Sequence, residues 1–195
     1  MKIISIIPSS QAERAVLPLI PTLAYPDSAM VRSGNPIFLP DFNCSFSGIF
    51  YLAVKISRLG KSIAERFATR YYSEAAPAMA VFPDELVGEV CRNKLPWTSA
   101  ACFDRSIITG DFRDYTSLLE NATLTRSYTG TEEAVAQLPS AQEIATAIHE
   151  VSRYNSLKMG DFILIPLAFE RVKLFIDSYL TISSGREILL KTAIK

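Results

Sequence analysis

Apolar runs in this sequence are short and rich in β-branched or aromatic residues, and Gly, Pro, Asn or Ser soon closes each one. A chain punctuated in this way folds mainly around strands, because few stretches are long enough for helices. Residues 2–7, 36–40, 51–56, 162–165 and Glu187–Ala193 read as strands on these grounds. Gly34-Asn35, between Met30-Val31 and Ile37-Phe38, predicts a hairpin turn, and Ser184-Gly185 predicts a second. Two helices are marked by their caps. Ser62-Ile63-Ala64-Glu65 and Ser140-Ala141-Gln142-Glu143 both fit a capping box. Behind them Ile63, Phe67 and Tyr71, and then Ile144, Ile148 and Val151, recur at helical spacing. Pro83-Asp84-Glu85 predicts a shorter helix, since proline suits a first turn and acids suit its positive end; Leu86 and Val90 would be its apolar face. The polar stretch 126–137, with Gly130 and Glu132-Glu133, predicts a loop. The order of strands, helix, strands, helix, strands makes the fold class α+β and β-rich, without alternating parallel βαβ units. With no repeat or linker, residues 1–195 form one domain.

Composition narrows the function. Hydrophobic residues at 49% and charged residues at 21% supply an ordinary globular core. Twenty basic residues balance twenty acidic ones, and no basic stripe occurs, so nucleic-acid binding and attachment to an anionic membrane surface are excluded as expectations. Cys44, Cys91 and Cys102 form no Cys-x-x-Cys pair, and His149 is the one histidine. Neither a disulfide framework nor a zinc site of the usual kind follows, and the chain reads as cytoplasmic and reduced. The opening apolar run stops at Pro8, and the next is broken by Pro18 and Pro21, too short to span a bilayer.

Among single residues, His149 is the first candidate for acid–base work, but helical periodicity turns it away from the Ile144, Ile148, Val151 stripe and onto a solvated face. Cys102 lies among Ala100, Ala101 and Phe103, an apolar setting that makes a thiol inert. Asp84 and Glu85 point about 100° apart on a helix, so they compensate its dipole and do not hold an ion. Trp97, Phe103 and Asp104 could wall a pocket in which Arg105 grips a carboxylate; the competing reading is plain core with a turn cap.

Several segments taken together carry a resemblance. Pro26-Asp27-Ser28-Ala29-Met30-Val31, Gly34 and Pro36-Ile37-Phe38-Leu39-Pro40 come first. Val54-Lys55-Ile56-Ser57-Arg58-Leu59-Gly60-Lys61, Leu95-Pro96-Trp97 with Phe103-Asp104, and Leu157-Lys158-Met159-Gly160-Asp161 follow in order. In content and spacing the chain resembles the fumarylacetoacetate hydrolase family, especially its short bacterial members, over nearly its whole length. The resemblance implies packed, mostly antiparallel β-sheets with a few flanking helices, and a homodimer. It also implies a Mg²⁺ or Mn²⁺ ion that stabilises an enolate while keto- and enol-acids are hydrolysed, decarboxylated or isomerised.

The departures are concerted. The resemblance places the family's paired glutamates at Ile49 and Tyr51, its third ligand, an aspartate, at Ala80, and a lysine at Ala101. Glu13 stands where full hydrolases carry a histidine, and Ile165-Pro166-Leu167 replaces a glycine-threonine-proline loop. The expectation is therefore a protein with no catalytic residues and no metal or other cofactor, serving a structural, regulatory or binding role. Its degenerate pocket is Ile49, Tyr51, Ala80, Trp97, Ala101, Asp104 and Arg105. Expected partners are a second copy, an active relative or a small acidic ligand. The alternative is a hydrolase, isomerase or decarboxylase of the same family with a rebuilt site.

Overall fold

Two long strands that are buried on both faces set the architecture. The computed structural model describes residues 1–7, 21–119, 123–130 and 132–195. Strands β1 (Ile3–Ile6) and β2 (Thr22–Tyr25) form an antiparallel pair, and β3 (Met30–Arg32) follows a 3-10 turn at Asp27–Ala29. The long strands are β4 (Phe46–Ile56) and β5 (Tyr72–Pro83), with the single-turn helix α1 (Glu65–Ala68) between them. Next come α2 (Asp84–Arg92), α3 (Thr98–Ala101), β6 (Ile107–Thr109), β7 (Arg113–Asp114) and α4 (Tyr115–Leu119). A hairpin of β8 (Thr123–Tyr128) and β9 (Glu132–Gln137) precedes the helix α5 (Ala141–Tyr154). Strands β10 (Phe162–Pro166), β11 (Val172–Leu174), β12 (Tyr179–Ser184) and β13 (Glu187–Ala193) complete the described chain.

Nine strands form one sheet in the order β2-β1-β10-β4-β5-β6-β3, with β11 added to β4 and β7 to β5. Its pairs are antiparallel except β1 with β10 and β3 with β6. The second sheet, β13-β12-β8-β9, is antiparallel throughout. Strand β4 is central and covered on both sides, which is why Phe46–Ile56 reads as a nearly unbroken apolar run. Its side chains still alternate. Phe50, Leu52 and Val54 join Met79, Val81 and Ile148 of α5 in the larger core, together with Leu180, Ile182 and Leu190 of the second sheet. Tyr51 and Ala53 face the other way, into a smaller cluster with Ala78, Ala80, Ala101 and Ile107. Gly110 marks the meeting of the two sheets, because a Cβ there would come 2.3 Å from the Leu189 carbonyl oxygen.

Several expectations hold. Helix α5 carries the full capping box, with Ser140 accepting from the Glu143 N–H and Glu143 accepting in return from the Ser140 N–H. Strand β13 spans Glu187–Ala193, and Gly185 at φ 57° turns the hairpin from β12. Helix α2 starts at Asp84, directly after Pro83.

Others are corrected. Residues 36–40 form no strand; Ile37 makes one bridge to Ile194, and β3 pairs in parallel with β6, so Gly34-Asn35 is a turn and not a hairpin. Fully buried Ile37 is taken by the end of the second sheet, a demand that local turn chemistry does not reveal. Ser62 caps nothing: it sits at φ 51° with its N–H on the Ser152 carbonyl, and α1 begins at Glu65 behind Ala64. The stretch 126–137 is most of the β8–β9 hairpin. Leu124, Arg126 and Tyr128 alternate inward against polar neighbours, and a buried arginine disguises that period. His149 is half-buried, with Nδ1 2.7 Å from the Ile63 carbonyl oxygen, because α1 and the loop before it pack on α5. Residue Glu13 lies outside the described residues.

Candidate functional site

Strands β4 and β5 bring the family's expected ligand positions side by side. Ile49 pairs directly with Ala80, and Tyr51 with Ala78, on the sheet face that carries the smaller core. Above Ile49 and Tyr51 opens a cleft of about 450 Å³. Phe82, Val87 of α2, Trp97 and Phe169 supply its apolar walls. Ala80 and Ala101 are fully buried in the cluster beside the cleft and are not among its lining residues.

Asp104 and Arg105 lie elsewhere. Both are exposed on the turn after α3, where Asp104 Oδ1 accepts from Ser28 Oγ at 2.5 Å and the Arg105 N–H donates to the Ser28 carbonyl. Arg105 sits in the left-handed region at φ 62° and does not line the cleft. Of the seven expected pocket residues, Ile49, Tyr51 and Trp97 therefore line the cleft, and Asp104 and Arg105 do not.

The cleft has a cation that sequence reading missed. Arg171, in the loop between β10 and β11, lines it and pairs through Nη2 with Asp84 Oδ1 at the start of α2. Asp84 Oδ2 also accepts from Ser47 Oγ at 2.6 Å, so this carboxylate is already committed to an arginine and a serine. Its neighbour Glu85 grips Ser45, accepting from the Ser45 hydroxyl and N–H at 2.7 Å each, and these bonds hold its carboxyl below the usual range. The two acids meet at Ser45 as well as serving the helix end. The charged run Glu170-Arg171 after an apolar strand was the signal for Arg171, but only the fold carries it to α2.

Arg171 is placed by the second sheet. Arg126 on β8 is 4% exposed, stacks its guanidinium on Phe50 and Phe169 at 5.3 and 5.6 Å, and donates from Nη1 to the Glu170 carbonyl at 2.8 Å. Phe169 and the backbone just before Arg171 are thereby fixed.

The donor set does not fit a hard divalent cation. Mg²⁺ and Mn²⁺ require oxygen ligands, chiefly carboxylates. Ile49 and Ala80 offer none, Asp84 is engaged, and the other carboxylate in the lining, Glu170, stands by itself. Burial pushes the Tyr51 phenol well above its ordinary pKa, so it presents a neutral oxygen. Among the described residues no group of three or more His, Cys, Asp or Glu could hold a metal. Cys102 is no stronger a candidate nucleophile, since burial pushes its thiol up to about 11.

No family model and no curated protein matches the sequence. Solved structures do match. A protein from Yersinia pestis CO92, described as of the fumarylacetoacetate hydrolase family, superposes with a TM-score of 0.82 at 20% identity, over 100% of this chain and 92% of that one. Fumarylpyruvate hydrolase from Pseudomonas aeruginosa, solved with Mn²⁺ and pyruvate, gives 0.80 at 14% identity, over 100% and 89%. The 5-carboxymethyl-2-hydroxymuconate delta-isomerase from Mycobacterium smegmatis gives 0.77 at 16% identity, over 99% and 78%. These hydrolases and isomerases share one architecture, and along its whole length this chain has the fold of the fumarylacetoacetate hydrolase family.

Proposed function

We propose that this chain is a cytoplasmic, homodimeric member of the fumarylacetoacetate hydrolase family that does not catalyse metal-dependent chemistry and uses its cleft to bind a small organic acid. One observation carries the reading: Ile49 and Ala80 are paired at the positions the resemblance gives to metal carboxylates, beside a cleft whose cation is Arg171. An arginine side chain 43% exposed, with five N–H donors, can hold Asp84 and a ligand carboxylate together. The aromatic walls at Phe82, Trp97 and Phe169 suit a flat apolar body.

Two measurements test this. A metal site at a hundred times its dissociation constant stabilises a fold by about 2.7 kcal/mol, which raises the melting temperature of a chain this size by about 5–10 °C. The expected result in millimolar Mn²⁺ or Mg²⁺ is no rise that a chelator reverses. A reproducible, chelator-sensitive rise would restore the alternative of a hydrolase, isomerase or decarboxylase with a rebuilt metal site. For the cleft, Trp97 is the chain's one tryptophan, so its indole N–H gives a single, unambiguous NMR signal. Benzoate should shift that signal, and Arg171→Gln should weaken benzoate binding by about tenfold, the effect of one charge-assisted bond. A shift that Arg171→Gln leaves unchanged would rule out the carboxylate role.

A further inference from the structure

Helix α2 turns one face to the cleft. Asp84, Val87, Gly88 and Cys91 all line it, and their spacing is that of a single helical stripe. Gly88 stands in the middle of that stripe, half-buried. A glycine inside a helix destabilises it relative to alanine, so its presence calls for a reason.

Packing supplies none. The Gly88 backbone is helical and outside the left-handed region, a conformation that alanine adopts without strain. Among the described residues outside the helix backbone, a Cβ there would have one atom within 4 Å, the Arg92 Nη1 at 3.9 Å. That is ordinary contact with the end of a flexible side chain. Gly48 and Gly110 differ, since a Cβ would come 2.6 Å from Met79 Sδ at the first and 2.3 Å from the Leu189 carbonyl oxygen at the second. At Gly88 the missing side chain leaves a recess in the cleft wall, between Val87 and Cys91. Peptide groups inside a helix are bonded to one another, so the recess offers no free donor or acceptor and suits hydrocarbon.

Arg171 fixes where a ligand body begins. Its guanidinium is held at Asp84, the first residue of α2, and Gly88 lies one turn, about 5.4 Å, further along the helix. The ring of a benzoate held by its carboxylate at Arg171 ends at about that level, so a second, fused ring would lie against Gly88.

We propose that Gly88 is a specificity-determining residue of the cleft, whose recess takes the second ring of a flat aromatic acid with its carboxylate on Arg171. The ligand class is then a fused-ring aromatic acid. This rests on the reading of the cleft as an acid-binding site.

The test uses the full chain labelled with ¹⁵N and follows the Trp97 indole signal during titration with benzoate and 2-naphthoate. The wild-type protein should bind 2-naphthoate at least about tenfold more tightly, because the added ring buries further apolar surface. Gly88→Leu fills the recess with a good helix former; it should lose that preference while benzoate affinity stays within about threefold of wild type. Gly88→Ala should raise the melting temperature by about 2–4 °C, because the glycine penalty is lifted and nothing is crowded. Circular dichroism checks the fold of both variants. If no acid shifts Trp97, the acid-binding reading fails and takes this one with it. If benzoate binds as tightly as 2-naphthoate, or if the folded Gly88→Leu protein keeps the preference or weakens both acids alike, the recess is overturned while the acid-binding cleft stands. A lower melting temperature in Gly88→Ala would overturn it as well, by showing that the glycine serves the fold.

Discussion

Asp161, 2% exposed, ties residue 2 to the turn that opens β10. Burial by itself raises its carboxyl pKa, but hydrogen bonds from Lys2 Nζ at 2.7 Å, the Lys158 N–H at 2.8 Å and the Lys2 N–H at 2.8 Å outweigh it and hold the pKa below the usual value. Asp161→Asn should cost about 1.5–3 kcal/mol, the range for hydrogen bonds to a charged group, with the Coulomb part reduced because the Lys2 side chain is 40% exposed. Melting should fall by about 3–12 °C at neutral pH. The folded pKa lies below the unfolded one, so this contribution is present above the unfolded value of about 3.9 and is lost as pH drops through the folded value. The gap between wild type and Asp161→Asn should therefore narrow on acidification below about pH 4; a gap constant down to pH 2 would show that the carboxylate contributes nothing as an ion.

At the level of elements, the β8–β9 hairpin acts on the cleft without lining it. Arg126 reaches from β8 through the larger core to Phe169 and the Glu170 carbonyl, and so holds the loop that presents Arg171. Arg126→Met keeps the side chain's bulk and removes its stacking charge and its donors. A loss of about 1–3 kcal/mol in stability is expected, together with weaker benzoate binding at Arg171. Chemical denaturation and the Trp97 titration measure the two effects. Unchanged benzoate affinity in a folded Arg126→Met protein would show that the loop orders itself.

For the molecule as a whole, the segment that leads into β12 of the second sheet bears on assembly. Phe175, Ile176 and Tyr179 are 62%, 67% and 61% exposed at one end of β12. Exposed apolar side chains gathered at one place are what a subunit contact covers, which is the role the proposed homodimer gives them. Light scattering at micromolar concentration should give about 43 kDa, twice 21.6 kDa. A mass near one chain would remove the homodimer from the proposal. Among the described residues, no helix is long and apolar enough to cross a membrane.

Strand runs such as Glu187–Ala193, the Ser140 capping box and the Pro83–Asp84 helix start could be read from neighbours in sequence, because alternation, caps and proline act within a few residues. That Ile49, Tyr51 and Ala80 carry no carboxylate could also be read, since it concerns residue type alone. Tertiary structure decided what no local rule carries. It turned the Ser62 cap into a strained turn by offering it the Ser152 carbonyl, and it buried Ile37 against Ile194. It also drew Arg126 inward and set Arg171, not Arg105, in the cleft. Arg171 meets Asp84 across 87 positions of sequence, and Ser5 shares a sheet face with Tyr51 only because β10 intervenes. Such meetings depend on which strands pair, and long-range pairing is settled by burial of the whole sheet rather than by any one segment.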